Sequence, residues 1–327
     1  MAMEEYTRPM ISLILTVRNE GASLPALLDS LLQQTRPPDE IVIVDGGSTD
    51  DTSAIIESYL DRLPLRLLGE PGCNISRGRN LAINAARGEL IAVTDAGVRL
   101  APDWLQHLSE PLLADPEAVA VAGFFRADPR NTFELALGAT TLPGVGEIDG
   151  RRFLPSSRSV AFRRDAWKAV GGYPEWLDHC EDLVFDLRLR QRCGPFVFAP
   201  QAIAHFRPRP SLPAFFRQYA LYARGDGLAG LWTKRHLLRY AAYLLILPLL
   251  LLAGALLHPL WWGILVLAGL ACLARPLQRL WQMRGGKRWL AALPLLPLIR
   301  ATGDIAKMTG WPLGLWQRRR TNPPRWR

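Results

Sequence analysis

Cysteine is scarce in this chain of 327 residues. The four cysteines stand far apart and none has C-x-x-C spacing, so the sequence predicts neither a zinc site nor a disulfide framework. This cysteine usage is consistent with a protein in a reducing compartment. No signal peptide is expected, because the first apolar run, Ile11 to Val17, is strand-like and lacks a small-residue cleavage pattern.

Acidic residues are nearly absent from the last third of the chain. From Leu228 onward there are 15 Lys or Arg residues and one acid, Asp304, whereas the preceding residues hold 24 basic and 29 acidic side chains. The formal net charge of +9 is therefore a property of the tail. Nucleic-acid binding would need basic side chains on the folded domain itself, so no nucleic-acid partner is expected. A basic tail with long apolar runs is typical of a membrane anchor that faces anionic lipid.

Two stretches of this tail lack charge altogether. Residues 240–257 form an uncharged run of 18, and residues 259–274 form one of 16. The first is long enough to cross a bilayer and the second is marginal, and His258-Pro259 between them predicts a tight hairpin. Basic residues flank the pair of runs on both sides, so both flanks are expected on the cytoplasmic side. Eight of the eleven tryptophans lie at or beyond Trp232, as is typical of residues at membrane interfaces. A soluble helical domain built from the same runs is the alternative.

This distribution predicts four regions. An α/β domain is expected over 1–227, a basic juxtamembrane segment over 228–239, a transmembrane helical hairpin over 240–274, and a basic interfacial or re-entrant helix with a cytoplasmic tail over 275–327. The apolar run at 289–299 is assigned to the interface, because it is too short to span a bilayer and contains two prolines.

The first part of the chain contains short β-branched runs that end in an acid. One run ends at Asp45, before two glycines and the helix-capping sequence S-T-D, and another ends at Asp95. Strands and helices alternate from residue 11 to residue 95, which predicts a parallel, doubly wound sheet. Ligands of such sheets bind at the carboxyl ends of the strands. Two acids at two strand ends, expected to be adjacent, indicate a site for a polar and phosphorylated ligand.

Further elements are expected downstream. The pattern predicts strands at 119–125 and 196–199, an extended run at 156–162, and helices at 164–170 and 183–192. The segment 126–152 is interpreted as an irregular, mobile loop near an acceptor.

Six short motifs occur in the order found in the family 2 glycosyltransferases, which are inverting enzymes of GT-A fold. They are T-V-R-N-E (16–20), V-D-G-G-S-T-D (44–50), S-R-G-R-N (76–80), T-D-A-G (94–97), G-G-Y-P (171–174) and C-E-D (180–182). From about residue 10 to residue 227 the chain resembles this family. The resemblance implies an α/β, GT-A-like, doubly wound and mostly parallel sheet, followed by C-terminal transmembrane or interfacial helices, as in the membrane-anchored bacterial members.

The resemblance also implies roles for individual residues. Asp182 is expected to be the general base, with Glu181 as its neighbour, and adjacent like charges in a partly dry site should raise one pKa. Both acids would also suit the first turn of a helix. Contacts to a nucleotide-diphospho sugar are expected from Thr16, Arg18, Glu20, Asp45, Gly46, Arg79, Asn80, Asp95 and Arg224.

A divalent cation, Mg or Mn, is expected to bridge an acid and the diphosphate. Asp95 and His205 are the candidate ligands, although a lone histidine is more often structural. The family usually has a second carboxylate where this chain has Gly97. Phosphate oxygens and water would then complete the shell, and Arg79 and Arg224 could share the neutralisation of the leaving group.

Three functions compete. The first is an inverting glycosyltransferase in the bacterial inner membrane, multi-pass, with a cytoplasmic catalytic domain and a polyprenyl-linked or envelope-glycan acceptor. The second is a catalytically weak nucleotide-sugar-binding subunit of an envelope polysaccharide complex, favoured by Gly97 and disfavoured by the intact E-D pair. The third, a nucleotidyltransferase, would need a Gly-rich basic loop after the first strand, where this chain has T-V-R-N-E-G. The sequence specifies neither the sugar nor the oligomeric state.

Overall fold

The computed structural model describes residues 8–283 and 288–326. Two compact units are present. The α/β unit comprises the residues up to Arg126 together with Val145–Phe206, and the helical unit comprises Ala127–Gly144 and Arg207–Trp326. Residues 207–227, which the sequence assigns to the α/β domain, thus group with the helices. Arg284 and Lys287, two of the basic residues that flank the apolar runs, lie outside the described residues.

One sheet organises the α/β unit. Its strands are β1 (Ile11–Val17), β2 (Glu40–Asp45), β3 (Leu65–Gly69), β4 (Leu90–Val93), β5 (Val98–Leu100), β6 (Ala120–Ala127), β7 (Val160–Arg163) and β8 (Val197–Phe206). Their spatial order is β3-β2-β1-β4-β7-β6-β8-β5. The pairs among β1 to β4 are parallel, whereas β7 pairs antiparallel with both β4 and β6, and β8 with β5. The sheet is therefore mixed, with the predicted parallel order in its first half.

Helices cover both faces of this sheet and build the second unit. In the α/β unit they are α1 (Leu24–Leu32), α2 (Thr52–Glu57), α3 (Ile75–Ala85), α4 (Trp104–Ala114), α6 (Arg164–Ala169) and α7 (Glu181–Cys193). In the helical unit they are α5 (Thr132–Thr141), α8 (Leu212–Ala229), α9 (Thr233–Ala241), α10 (Leu247–Leu256), α11 (Leu260–Gln282), α12 (Arg288–Ala292) and α13 (Leu295–Thr321). A π-helical turn, Ala242–Ile246, joins α9 to α10.

The core of the α/β unit follows from strand alternation. Successive side chains of a strand point to opposite faces, so Leu13 and Ile43 pack with α1, α2 and α4, whereas Ile14 and Val42 pack with α3, α6 and α7. Both sets are fully buried, as expected for strands covered on two sides. The unit is thus a three-layer α/β/α domain.

Several sequence expectations need correction. β1 lies between β2 and β4, so the strands that end at Asp45 and Asp95 are not adjacent. The supposed loop at 126–152 contains α5, whose N-cap is Asn131: its Oδ1 accepts from the backbone N–H of Glu134 at 2.9 Å. The last strand extends from Val197 to Phe206 and therefore includes His205, and β5 and α4 were not predicted.

Close backbone packing joins α8 to α13 in the helical unit. A Cβ at Gly310 would lie 1.9 Å from the carbonyl oxygen of Ala220, and one at Gly314 would lie 2.0 Å from that of Arg224. A Cβ at Gly227 on α8 would lie 2.4 Å from the carbonyl oxygen of Trp311. Only glycine fits these positions, as at helix interfaces where small residues let backbones approach.

Three helical segments of the described residues are long and apolar enough to cross a membrane, judged by length and composition. They are Thr233–Leu256, Leu260–Gln282 and Arg288–Thr321. The first two meet at the turn that contains His258 and Pro259. The third continues far beyond the apolar run at 289–299, because helix α13 extends through the polar residues after Ile299. Its interfacial position and the membrane topology stay predictions.

Replacing Gly310 with alanine should destabilise the helical unit. The added methyl group meets the Ala220 carbonyl, which cannot rotate away as a side chain would, and overpacking of this kind costs about 1–3 kcal/mol. Gly269→Ala on α11 is the matched control, because nothing lies within 4 Å of its added Cβ. Thermal unfolding in detergent should show a lower midpoint for Gly310→Ala alone. Equal midpoints for the two variants would contradict the close packing of α8 and α13.

Candidate active site

The turn after β2 is organised by Asp45. Its Oδ1 accepts hydrogen bonds from the backbone N–H of Gly47 and Ser48, at 3.1 and 2.9 Å, and from the Ser48 hydroxyl at 2.7 Å. Its Oδ2 accepts from the Ser53 hydroxyl at 3.0 Å. Gly47 has a φ of +90°, which favours glycine. The carboxylate thus holds its own loop in shape, and its contact with a base or ribose stays a prediction.

The turns after β1 and β2 are tied together. Asn19, with a φ of +55°, accepts from the backbone N–H of Thr49 at 2.8 Å and donates its own backbone N–H to Ser48 at 2.9 Å. The backbone N–H of Gly46 donates to the Val17 carbonyl at 2.9 Å. Asn19, which was not among the predicted site residues, is therefore one of the side chains that couple the two predicted nucleotide loops.

The remaining predicted residues of these loops differ in surroundings. Arg18 is exposed, whereas Thr16 lies at the end of β1, where its methyl group packs beside Gly78 of α3. The Glu20 carboxylate accepts a hydrogen bond from the Ser23 hydroxyl. Of the three, Arg18 is the most exposed.

A buried arginine connects the strand-end acid to the acids of α7. Arg79, on α3, donates from one terminal nitrogen to Asp95 Oδ1 at 2.9 Å and from the other to Glu181 Oε1 at 2.8 Å. Its side chain is only 2% exposed. Burial alone would lower the pKa of Arg79, but the two carboxylates outweigh it and hold the pKa above its ordinary value. Two motifs that are distant in sequence therefore meet through one guanidinium.

Three carboxylates crowd the start of α7. Burial, with the neighbouring Asp182 charge added to it, raises the pKa of Glu181 to about 7 against the opposing effect of Arg79. Burial followed by the Asp182 charge also raises the pKa of Asp186 well above its ordinary value. Asp182 is half-buried, and its Oδ1 accepts from the backbone N–H of Leu183 at 2.8 Å. Of the E-D pair, Asp182 is thus the more accessible acid.

The chain enters α7 through a left-handed residue. Cys180 has a φ of +63°, a conformation that residues other than glycine adopt rarely and often at functional sites. It immediately precedes Glu181 and Asp182. The sharp entry places Glu181 against Arg79 in the interior and leaves Asp182 half-buried.

Asn80, a residue of α3, holds the G-G-Y-P segment (171–174) in place. Its amide nitrogen donates to the Tyr173 carbonyl and to a Glu175 carboxylate oxygen, both at 2.9 Å. Its Oδ1 accepts from Trp167 Nε1 at 3.1 Å and from the backbone N–H of Tyr173 at 2.9 Å. These bonds occupy both ends of the amide. Asn80 therefore positions the segment that leads into α7, and its predicted contact with a nucleotide sugar is untested.

Two further predicted residues lie on β8 and α8. His205 lies in β8, where its backbone is in register with Arg99 of β5. Arg224 lies on α8 of the helical unit, where its Nε donates to Gln317 Oε1 at 2.9 Å. Both retain their predicted roles as hypotheses.

The side chains around Asp95 fit poorly with a metal ion held by the protein. Asp95 Oδ1 binds Arg79, and Oδ2 lies 3.9 Å from Arg158 Nε. Gly97 supplies no ligand. Within residues 8–283 and 288–326 no group of three or more His, Cys, Asp or Glu side chains is arranged to hold a metal. Asp95 and His205 would therefore have to bind without a third protein ligand of those types.

Asp186 was not among the predicted functional residues of this site. It follows Asp182 by four residues, and this helical spacing is the signal that could have identified it. Arg158, in the extended run before β7, approaches Asp95. That contact depends on the β4–β7 pairing, which no local pattern reveals.

Several known proteins are similar to this chain in sequence. Residues 12–162 match the family described as Glycosyl transferase family 2. The succinoglycan biosynthesis protein ExoA of Rhizobium meliloti is 28% identical over 244 residues, covering 69% of this chain and 71% of that protein. The O-antigen chain rhamnosyltransferase RfbN of Salmonella typhimurium is 24% identical over 224 residues, covering 63% and 70%. A validoxylamine A glucosyltransferase of Streptomyces hygroscopicus subsp. limoneus is 32% identical over 128 residues, covering 38% of this chain and only 28% of that protein.

Solved structures agree at the level of the fold. The mannosyltransferase PcManGT from Pyrobaculum calidifontis, determined with GDP-Man and Mn²⁺, has a TM-score of 0.57 at 20% identity and covers 97% of this chain and 88% of its own. S. aureus TarS 1–349 with UDP-GlcNAc has a TM-score of 0.53 at 18% identity and covers 96% and 92%. The expected GT-A-like fold is thereby confirmed, and residues 12–162 of this chain match the glycosyl transferase family 2.

Proposed function

We propose that this protein is an inverting glycosyltransferase that moves a sugar from a nucleotide-diphospho sugar to an acceptor hydroxyl near the membrane. The observation that carries the proposal is the Arg79 bridge. It joins Asp95, on the donor side of the predicted site, to Glu181 in the E-D pair of the acceptor side, with contacts of 2.9 and 2.8 Å. The carboxylates needed for donor binding and for base catalysis therefore belong to one cluster.

The reaction needs one bond to break and one to form. The bond between the anomeric carbon and the phosphate oxygen breaks, and its electron pair leaves with the nucleoside diphosphate. The acceptor oxygen attacks the opposite face of the same carbon and transfers its proton to Asp182. The hydrogen bond from the Leu183 N–H orients this carboxylate. Glu181, paired with buried Arg79, shapes the charge around the base without having to meet the acceptor.

The donor is expected at the loops after β1 and β2. The coupled Asn19, Ser48 and Thr49 give this edge a fixed backbone, and Arg18 offers an exposed cation beside it. Fold relatives determined with GDP-Man and with UDP-GlcNAc support a nucleotide-diphospho sugar as the donor class. Thr16, Glu20, Asp45 and Gly46 are proposed to line the same loops.

The acceptor is proposed to be a polyprenyl-linked sugar or an envelope glycan. Relatives named for succinoglycan biosynthesis and for O-antigen assembly support a polysaccharide product. The apolar helices of the same chain support a bacterial inner-membrane location with a cytoplasmic catalytic unit. In this topology α10 and α11 would form a transmembrane hairpin, and the basic segment after it would lie at the cytoplasmic face.

A catalytically weak nucleotide-sugar-binding subunit is the second candidate, favoured by Gly97 in place of an acid. One assay distinguishes the two candidate functions. An enzyme consumes nucleotide sugar when membrane acceptor is added, whereas a binding subunit holds the donor without turnover.

Asp182→Asn should abolish transfer and leave donor binding intact. The amide cannot accept the proton of the acceptor hydroxyl, and loss of a general base reduces turnover by about 10²–10⁴-fold. Turnover is measured as release of nucleoside diphosphate in membranes, and donor binding by calorimetry. Asp165→Asn, at an exposed position on α6, is the matched control and should behave as wild type. Retained turnover in Asp182→Asn would reject the assigned base.

Glu181→Gln should remove a pH-dependent step from turnover near neutral pH. In the wild type, burial and the charge of Asp182 raise the pKa of Glu181 to about 7, so the charge beside the proposed base changes as the pH passes through that range. Glutamine at position 181 has no proton to lose, so turnover should no longer change there. The measurement is kcat/KM from pH 5 to 9, with exposed Glu117→Gln as control. A step near pH 7 that persists in Glu181→Gln would show that Glu181 is not the group that titrates.

A further inference from the structure

A polar network crosses the apolar helices of the helical unit, and Asp304 of α13 is one of its centres. Asp304 Oδ1 accepts a hydrogen bond from Arg239 Nε of α9 at 2.7 Å. Its Oδ2 accepts from the Tyr243 hydroxyl at 3.1 Å and lies 3.4 Å from Arg300 Nε. One carboxylate thus serves two arginines, so it balances only one of their two charges.

The second centre of the network is His236 of α9, which is buried. Its ring stacks on Trp311 of α13, with the ring centres 5.1 Å apart. Its Nε2 lies 3.1 Å from Asp226 Oδ2, and its Nδ1 lies 3.3 Å from a terminal nitrogen of Arg239. Because an arginine can only donate, Nδ1 accepts, and the ring proton is on Nε2 and is donated to Asp226. The imidazole is therefore neutral and adds no charge.

Lys307 of α13 adds a third cation to the network. Its ammonium nitrogen lies 5.0 Å from the ring centre of Tyr219 on α8, within the range of a cation–π contact. The charged groups that act on it are Arg239, Asp304, Arg300 and Asp226. These groups and Lys307 together comprise three cations and two carboxylates, so one positive charge is left over.

Other acids of the helical unit are too few to remove this excess. Residues 127–144 and 207–326 contain four acids in all, and two of them are Asp226 and Asp304. A third, Glu134, lies 2.6 Å from a terminal nitrogen of Arg207. The network occurs in Thr233–Leu256 and Arg288–Thr321, two of the segments that are long and apolar enough to cross a membrane. A charge in such surroundings needs a counter-charge.

The network is accessible at Arg300. The Arg300 side chain is 48% exposed, against 11% for Asp304. Arg300, Asp304 and Lys307 follow one another at spacings of four and three residues, so they lie on one face of α13. Lys307 is half-buried. Two cations therefore lie on the same helix face, one on either side of the shared carboxylate.

We propose that Arg300 and Lys307 bind the phosphate group of an anionic lipid. Phosphate is the anion that a bilayer offers at its surface, and basic pockets between membrane helices bind such head groups. A guanidinium and an ammonium group both form strong hydrogen bonds with phosphate oxygens. The proposal presumes the membrane location proposed above, but it does not depend on sugar transfer.

The first test measures lipid binding directly. Full-length protein in a neutral detergent is mixed with phosphatidylglycerol, with a polyprenyl phosphate or with phosphatidylcholine, and bound lipid is measured by native mass spectrometry. Wild type should hold at least one of the two anionic lipids about ten-fold or more tightly than phosphatidylcholine, whose choline already balances the phosphate. A preference between the anionic lipids identifies the source of the phosphate, and either preference supports the site.

The variants assign this selectivity to the two cations. Lys307→Met and Arg300→Gln should each weaken binding of the preferred lipid by about 10- to 100-fold, as for a hydrogen bond to a charged group. Lys234→Met, which removes an exposed cation from α9, is the matched control and should bind as wild type. Equal losses in all three variants would overturn the site, because they would reflect general basicity. Displacement of the lipid by an equal concentration of inorganic phosphate would overturn the assignment to a lipid.

Thermal unfolding distinguishes a ligand site from a structural role of Lys307. Without lipid, Lys307→Met should unfold at the wild-type midpoint or above it, because the substitution removes an unbalanced charge. The preferred lipid should raise the midpoint of wild type and of Lys234→Met but not that of Lys307→Met, since only a bound ligand stabilises the fold. A lower midpoint for Lys307→Met without lipid would overturn the proposal.

Release of nucleoside diphosphate, measured on the same proteins, keeps the lipid site and the proposed function apart. Turnover by a wild type that shows no lipid selectivity would overturn the lipid site and leave sugar transfer supported. Selective lipid binding without any turnover would support the site and count against sugar transfer.

Discussion

The buried guanidinium of Arg79 is the constraint on which the candidate site depends. A charge removed from water is tolerated only when it is paired and hydrogen-bonded, and Arg79 has a carboxylate at each of its terminal nitrogens. Loss of either partner would leave an uncompensated charge in the interior. The end of β4 and the start of α7 are therefore held in one relative position by electrostatics, in addition to the apolar packing around Phe162 and Phe185.

The same bridge also orders the acids by accessibility. Glu181 lies against Arg79 and is buried, Asp186 is buried one turn further along the helix, and Asp182 is the half-buried member. Burial, with the Asp182 charge added to it, raises the pKa of Glu181 and of Asp186 above their ordinary values, and Arg79 opposes the rise. Asp182, the proposed base, therefore lies beside two buried acids.

Much of the α/β unit was predictable from local patterns. The β-branched runs located β1 to β4, and the motif order indicated the family that residues 12–162 match, because both signals are contained in short stretches of sequence. The pairing of β7 with β4 was not predictable, since antiparallel insertion after a long connection leaves no local trace. For that reason the contact of Arg158 with Asp95 was missed, and the strand ends at Asp45 and Asp95 were expected to be adjacent although β1 separates them. The helix α5 escaped detection because few polar residues interrupt its apolar composition, although Asn131 and Glu134 carry a capping signature.

The glycines of α13 impose a further consequence on the helical unit. Gly303 faces the Phe215 ring, and Gly310 and Gly314 face backbone carbonyls of α8, so all three must keep one rotational phase along the helix. A helix turns by about 100° per residue. A single inserted residue between Gly303 and Gly310 would swing the two later glycines out of phase and bring bulky neighbours onto the carbonyls of α8. This stretch of α13 should therefore tolerate many exchanges on its outer side but no change in length.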